Sequence, residues 1–150
     1  MGKMLFGEFH QQVDEKGRVR IPAKLKTTLS DGVTIAKGTS GCLFIFSSSE
    51  LQNIADKIKS IPLGDLEIQR SLRMFTAGIS DLEEDNQGRC LLPRNLREFA
   101  EIKKDIVFTG VGNRIELWAK EVYDAYMSGE TVKKSINYDK LFAELNKYGV

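Results

Sequence analysis

Four acids, Asp81, Glu83, Glu84 and Asp85, crowd together ahead of Gly88-Arg89. Neighbouring carboxylates could serve as general acid and base. Here they precede a turn, and no motif places a serine or cysteine nucleophile near the single histidine, His10. The residues read as a solvated loop, with a hydrolase kept as an alternative. Cys42 and Cys90 stand 48 residues apart, each beside leucine. Two distant thiols and one imidazole do not make a zinc site, so they read as small core fillers, with no metal and no cofactor expected. Gly38-Thr39-Ser40-Gly41 lacks the lysine and following helix of a phosphate-cradling loop. One pattern remains, Asp14-Glu15-Lys16-Gly17-Arg18. The aspartate can cap backbone N–H groups two residues on, and glycine can take a positive φ. The arginine fork suits a guanine edge or a phosphate. Without further context the pattern also reads as a tight turn with an Asp–Arg bridge.

That pattern occurs twice. Residues 14–26 read DEKGRVRIPAKLK and residues 85–97 read DNQGRCLLPRNLR. At an offset of 71, five of thirteen positions are identical: Asp14/Asp85, Gly17/Gly88, Arg18/Arg89, Pro22/Pro93 and Leu25/Leu96. At an offset of 72, residues 38–46 (GTSGCLFIF) correspond to residues 110–118 (GVGNRIELW), both blocks opening on glycine. Two blocks in the same order indicate a tandem duplication.

The elements around the motifs follow the same grammar in each copy. Leu5 to Val13 reads as a strand, and Arg18–Ile21 as a second. Pro22 suits the first position of a short helix to about Leu29. Val33–Lys37 and Leu43–Phe46 flank a Gly-rich turn as a hairpin. Copy two repeats this with a turn at Asp85–Gly88, a strand at Arg89–Leu92, a helix at Pro93–Ala100, and a hairpin of Ile106–Thr109 and Ile115–Trp118. Leu51, Ile54, Ala55 and Ile58 mark an amphipathic helix with Ser49 as its N-cap. Pro62-Leu63-Gly64 breaks the chain before another stripe, Ile68, Leu72, Phe75 and Ile79. A helix follows at Glu121–Met127. A polar Ser128-Gly129-Glu130 break then leads to a terminal helix with Leu141, Phe142, Leu145 and Tyr148 on one side. These stripes read as core or subunit interface.

The chain has 150 residues, 41% hydrophobic and 29% charged, which suits one ordinary domain or two small ones. It is too short for a barrel enzyme of about 250 residues. Lys and Arg number 22 against 21 Asp and Glu, a net charge of +1 that excludes a disordered polyelectrolyte. No run reaches the ~18 apolar residues of a membrane span, and the N-terminus shows no apolar signal core. Phe6 stands where a myristoylation signal needs Ser or Thr.

The pattern Asp-x-x-Gly-Arg-x-x-(Ile/Leu)-Pro-x-x-Leu, present twice, resembles the MraZ proteins of bacteria. So do Met4-Leu5-Phe6-Gly7 at the start and Glu116-Leu117-Trp118 in the second hairpin. The resemblance implies a mainly β fold with helices (α+β). In it, two AbrB-like swapped-hairpin β-barrel halves close within one chain, with amphipathic helices added. The division it suggests is a first half at 4–60, a helical linker at 61–79, a second half at 80–127 and a C-terminal helix at 128–150. It implies a ring-shaped homo-oligomer, cytoplasmic and nucleoid-associated, with no membrane partner. The implied function is transcriptional regulation of the division and cell-wall gene cluster, through short repeated boxes of double-stranded DNA in its promoter. An antitoxin-like or scaffold module remains the alternative, in which a tail binds a protein partner.

Local charge ranks the two turns. Residues 1–77 carry a net charge of +3, and residues 78–150 a net charge of −2. Copy one has Lys16 and Arg20 where copy two has Gln87 and Leu91. Phosphates attract cations and are repelled by carboxylates, so the first turn is expected to lead. The expected DNA-binding residues are Lys16, Arg18, Arg20 and Lys24, with Arg89 less firmly placed and Lys26 as a further backbone contact. Asp14, Gly17, Asp85 and Gly88 are expected to shape the turns.

Overall fold

The computed structural model describes residues 5–29, 31–130 and 138–150. Met4 and residues 131–137 of the expected C-terminal segment lie outside the described residues. Copy one contributes β1 (Leu5–Gln12), β2 (Arg18–Val19), α1 (Ala23–Lys26) with a 3₁₀ turn at Thr27–Leu29, β3 (Val33–Lys37) and β4 (Leu43–Ser47). Two helices follow, α2 (Ser48–Ile58) and α3 (Leu66–Ala77). Copy two contributes β5 (Ser80–Asp81), β6 (Cys90–Leu91), α4 (Arg94–Phe99), β7 (Asp105–Gly112) and β8 (Ile115–Ala119). Helices α5 (Lys120–Met127) and α6 (Tyr138–Leu145) complete the chain.

The two copies exchange partners. A six-stranded antiparallel sheet runs β1-β7-β8-β4-β3-β5. The first strand of copy one thus pairs with the hairpin of copy two, and β5 of copy two pairs with the hairpin of copy one. The strand order is its own reverse when copies are swapped, so a local twofold axis passes between β8 and β4. Phe44 faces Glu116 there, residues related by the offset of 72. A separate two-stranded ribbon pairs β2 with β6, and Val19 faces Cys90, related by the offset of 71. A half of this size presents open strand edges by itself, and the exchange covers them.

Both faces of the sheet are buried, which is why β4 reads Leu43-Phe44-Ile45-Phe46 without polar alternation. Leu43, Ile45, Ile106, Phe108, Ile115 and Leu117 turn to a core shared with the β2–β6 ribbon and with Leu25 and Leu96 of the short helices. Phe44, Phe46, Val107 and Trp118 turn the other way, under Ile68 and Phe75 of α3, Tyr123 of α5, and Leu141 and Leu145 of α6. Glu116 is buried on that second face but satisfied. It accepts from Arg114 Nη2 at 2.8 Å and Trp118 Nε1 at 3.2 Å, while the Arg114 guanidinium lies over the Phe44 ring.

The α+β class matches the sequence reading, but the sheet does not close into a barrel. Its edges are β1 and β5, and β5 has only two residues, too few to carry a ladder onward. The N-cap of α2 is Ser47, not Ser49, because the Ser47 Oγ accepts the Glu50 N–H at 3.1 Å. The Ser49 amide instead donates to Asp31 at 3.2 Å. Pro22 and Pro93 stand just ahead of α1 and α4, with ψ of 132° and 138°, and their carbonyls accept the first helical bonds. The ribbon strands are also shorter than expected, since the chain turns toward α1 and α4 after two residues.

Candidate nucleic-acid interface

The ribbon brings the two Asp-x-x-Gly-Arg turns side by side at the local axis. In the first, Asp14 Oδ1 accepts the amides of Lys16 and Arg18, each at 2.9 Å, and Oδ2 accepts Arg18 Nε at 2.7 Å. In the second, Asp85 Oδ1 accepts the amides of Gln87 at 2.8 Å and Arg89 at 3.0 Å, and Oδ2 accepts Arg89 Nε at 3.3 Å. Gly17 has φ +82° and Gly88 φ +75°, the left-handed region each turn requires. The Arg18 amide and side chain and the Lys16 amide hold the Asp14 carboxyl below its usual range. The amides of Arg89 and Gln87 do the same for Asp85.

The bridges also cross between turns. Arg18 Nη1 lies 3.9 Å from Asp85 Oδ2, and Arg89 Nη1 lies 3.7 Å from Asp14 Oδ2. Asp14, Arg18, Asp85 and Arg89 form one quartet of two anions and two cations. Both arginine side chains are 24% exposed, so they are held at the surface rather than enclosed. The quartet is neutral as a whole, and any excess cation must come from around it.

Lys16 and Lys24 are exposed and, among the described residues, lie in no ion pair. Lys26 is also exposed but is neutralised by Glu84. Arg20 is not a free finger on the strand. Its backbone is clamped by the Gln11 amide, which donates to Arg20 O at 2.7 Å and accepts from Arg20 N at 2.8 Å. Its guanidinium donates to the Gln87 carbonyl of the second turn and, among the described residues, lies in no ion pair. Arg97, aligned with Lys26 by the offset of 71, lies against Gly17 and donates Nε to Leu92 O at 3.2 Å. Gln11 and Arg97 carry no local motif, so only the repeat alignment hinted at position 97.

The other candidates are placed differently. Asp81, Glu83 and Glu84 border a groove of about 730 Å³ that also meets Lys26, Leu29 and Thr34. Asp85 is committed to its turn instead. His10 sits on exposed β1, 2.9 Å from Glu8. Gly38–Gly41 forms the β3–β4 turn, with the Ser40 amide donating to Asp139 at 2.7 Å. Both cysteines are buried free thiols. Burial pushes Cys90 up to about 11 and Cys42 higher than an ordinary thiol. Among the described residues no group of three or more His, Cys, Asp or Glu could hold a metal ion, and no helix is long and apolar enough to cross a membrane.

Exchanged strands around a doubled Asp-x-x-Gly-Arg turn define a tandem-repeat protein of mixed α+β class, in which each copy completes the other's hairpin. A family model described as "MraZ protein, putative antitoxin-like" matches residues 4–74 and again residues 75–142. The chain belongs to the MraZ family. It is 44% identical over 129 residues to a protein of Thermoanaerobacter pseudethanolicus, covering 86% of this chain and 90% of that one. It is 38% identical over 147 residues to one of Caldanaerobacter subterraneus subsp. tengcongensis, covering 98% and 100%. A Clostridium beijerinckii protein is 37% identical over 147 residues with the same coverage. Each of these relatives is named transcriptional regulator MraZ, which supports a regulatory role.

Proposed function

We propose that the protein is a sequence-specific DNA-binding transcriptional regulator that presents its paired turns to duplex DNA. The observation that carries this reading is the quartet at the local axis. It sets Arg18 and Arg89 side by side at the surface, with Lys16 on the first turn and Arg20 reaching the second, and Lys24 exposed on α1. An Asp-bridged guanidinium is already oriented, so a guanine edge or phosphate can take a place on its remaining donors without first ordering the side chain. Lys16 and Lys24 supply the phosphate attraction that a self-neutral quartet lacks. Copy one leads, and Arg89 joins it through the shared quartet. Asp14, Gly17, Asp85 and Gly88 shape the two turns.

The target we infer is a set of short repeated boxes in the promoter of the division and cell-wall gene cluster, met by a ring of subunits at the nucleoid. The working division is 4–60 and 80–127 as the two halves, 61–79 as linker, and 128–150 as a C-terminal segment. One turn pair makes few contacts, and a ring over repeated boxes would raise avidity by ~10²–10⁴. The antitoxin-like alternative needs a tail whose apolar side is free. Leu141 and Leu145 are instead buried, and α6 is tied to α3 through Ser71–Glu144.

Binding to the DNA immediately upstream of the gene, followed against salt, tests the reading. On a one-box duplex, Lys16→Ala should lower the slope of log K on log salt by ~0.9, the share of one phosphate. A multi-box fragment should bind far more tightly than one box. An unchanged slope removes Lys16 from the contact set, and equal affinity for one box and many removes the avidity argument.

A further inference from the structure

The two glycines at the turns do more than permit a positive φ. A β-carbon on Gly17 would stand 2.7 Å from Arg97 Cζ and 2.8 Å from its Nη1. The guanidinium of copy two therefore lies against the bare Cα of the copy-one turn. Beside it, Leu92 of copy two donates its amide to Gly17 O at 3.0 Å, and Arg97 Nε donates to Leu92 O at 3.2 Å. The opposite turn shows the reverse arrangement. A β-carbon on Gly88 would stand 3.4 Å from Arg20 Nη1, and that guanidinium donates to Gln87 O. Each turn is thus backed by an arginine from the other copy.

The braces are not related by the duplication. The counterpart of Arg97 is Lys26, which turns away to Glu84. The counterpart of Arg20 is Leu91, which is 59% exposed. Two different positions bring an arginine to the glycine of the opposite turn, the Arg97 guanidinium packed against Gly17 and the tip of Arg20 beside Gly88. A planar guanidinium fits that space, whereas an ammonium on a flexible stem offers no flat face and no Nε donor.

We propose that Arg97 is a positioning residue for the first turn and Arg20 for the second, so that each copy braces the other's turn and the pair meets DNA as one rigid head. The functional half of this inference rests on the DNA-binding reading above; the brace itself does not.

The test uses the full chain with Arg97→Ala, Arg97→Lys and Arg20→Ala. Residue-resolved amide exchange is read alongside anisotropy titrations with a duplex from immediately upstream of the gene. Arg97→Ala should speed exchange at residues 16–18 about tenfold, the effect of losing one charge-assisted bond, while β4 and β8 keep their rates. Arg20→Ala should do the same at residues 87–89. Duplex affinity should fall about tenfold in each, with the salt slope moving by well under the ~0.9 of a lost phosphate contact. Arg97→Lys should behave like Arg97→Ala.

Wild-type turn rates in Arg97→Ala would overturn the brace. So would acceleration spread evenly into β4 and β8, or full rescue by lysine. A slope lower by ~0.9 with unchanged turn exchange would make the arginine a contact rather than a support. If the wild-type protein ignored the duplex, the DNA-binding reading and the functional half would fall. Exchange would still decide the brace.

Discussion

Replacing each turn glycine by alanine separates backbone strain from crowding. Both glycines sit in the left-handed region, at φ +82° and +75°, where an L side chain costs about 1–2 kcal/mol. That charge is common to both sites. The space is not. At Gly88 the nearest atom is the tip of Arg20 at 3.4 Å, which can shift by a few tenths of an ångström. At Gly17 three atoms of the Arg97 guanidinium would lie within 2.9 Å, so the group must leave. Its departure gives up the bond to Leu92 O, about 0.5–1.5 kcal/mol for a partly exposed donor. Gly17→Ala should therefore destabilise by about 2–3 kcal/mol and Gly88→Ala by about 1–2 kcal/mol. Urea unfolding at one protomer concentration measures the difference, since an oligomer's midpoint moves with concentration. In an Arg97→Ala background the gap should close, because the crowding partner is gone. Equal losses in the wild-type background, or a larger loss at Gly88, would refute the packing argument.

Other perturbations give separate readings. Phe108→Ala empties a fully buried site under the ribbon and should cost about 3–5 kcal/mol, whereas Phe6→Ala, 61% exposed, should stay within about 0.5 kcal/mol by the same unfolding assay. Asp14 and Asp85 have carboxyls held below the usual value of 3.8, so the unfolded chain binds their protons first on acidification. Their stabilisation is complete above pH ~5 and is lost as the pH falls through the unfolded value and then the lower folded ones. Unfolding midpoints should drop across that range and flatten in Asp14→Asn/Asp85→Asn; a curve identical to wild type would count against the quartet. Neither thiol should react with an aromatic disulfide reagent at neutral pH until the chain unfolds, since both are buried and raised above the ordinary thiol value.

Much was legible in the chain because it was local. The turns could be read from Asp14, Gly17 and Arg18 and their repeats, since an aspartate capping its own following amides needs no distant partner. The hairpins at residues 33–47 and 105–119 announced themselves by apolar runs around glycine, and α3 by its stripe. Element ends were less legible. Ser47 and Ser49 are equally good caps by type, and only the backbone path shows which hydroxyl meets an unpaired amide.

The amino-acid sequence by itself determined that there are two copies, what each turn is, and which halves of the chain carry the surplus of cation. Tertiary structure decided how the copies relate. Pairing β1 with β7, and Val19 with Cys90, joins residues tens of positions apart, and no periodicity within either segment encodes a partner so distant. That pairing placed Arg18 beside Asp85 and Arg97 against Gly17, and it turned two separate motifs into one charge-balanced quartet. It also left the sheet open, because β5 ends after two rungs. The physical reason is that a turn needs only its neighbours' hydrogen bonds, whereas a brace between turns exists only once the chain has closed its long loops.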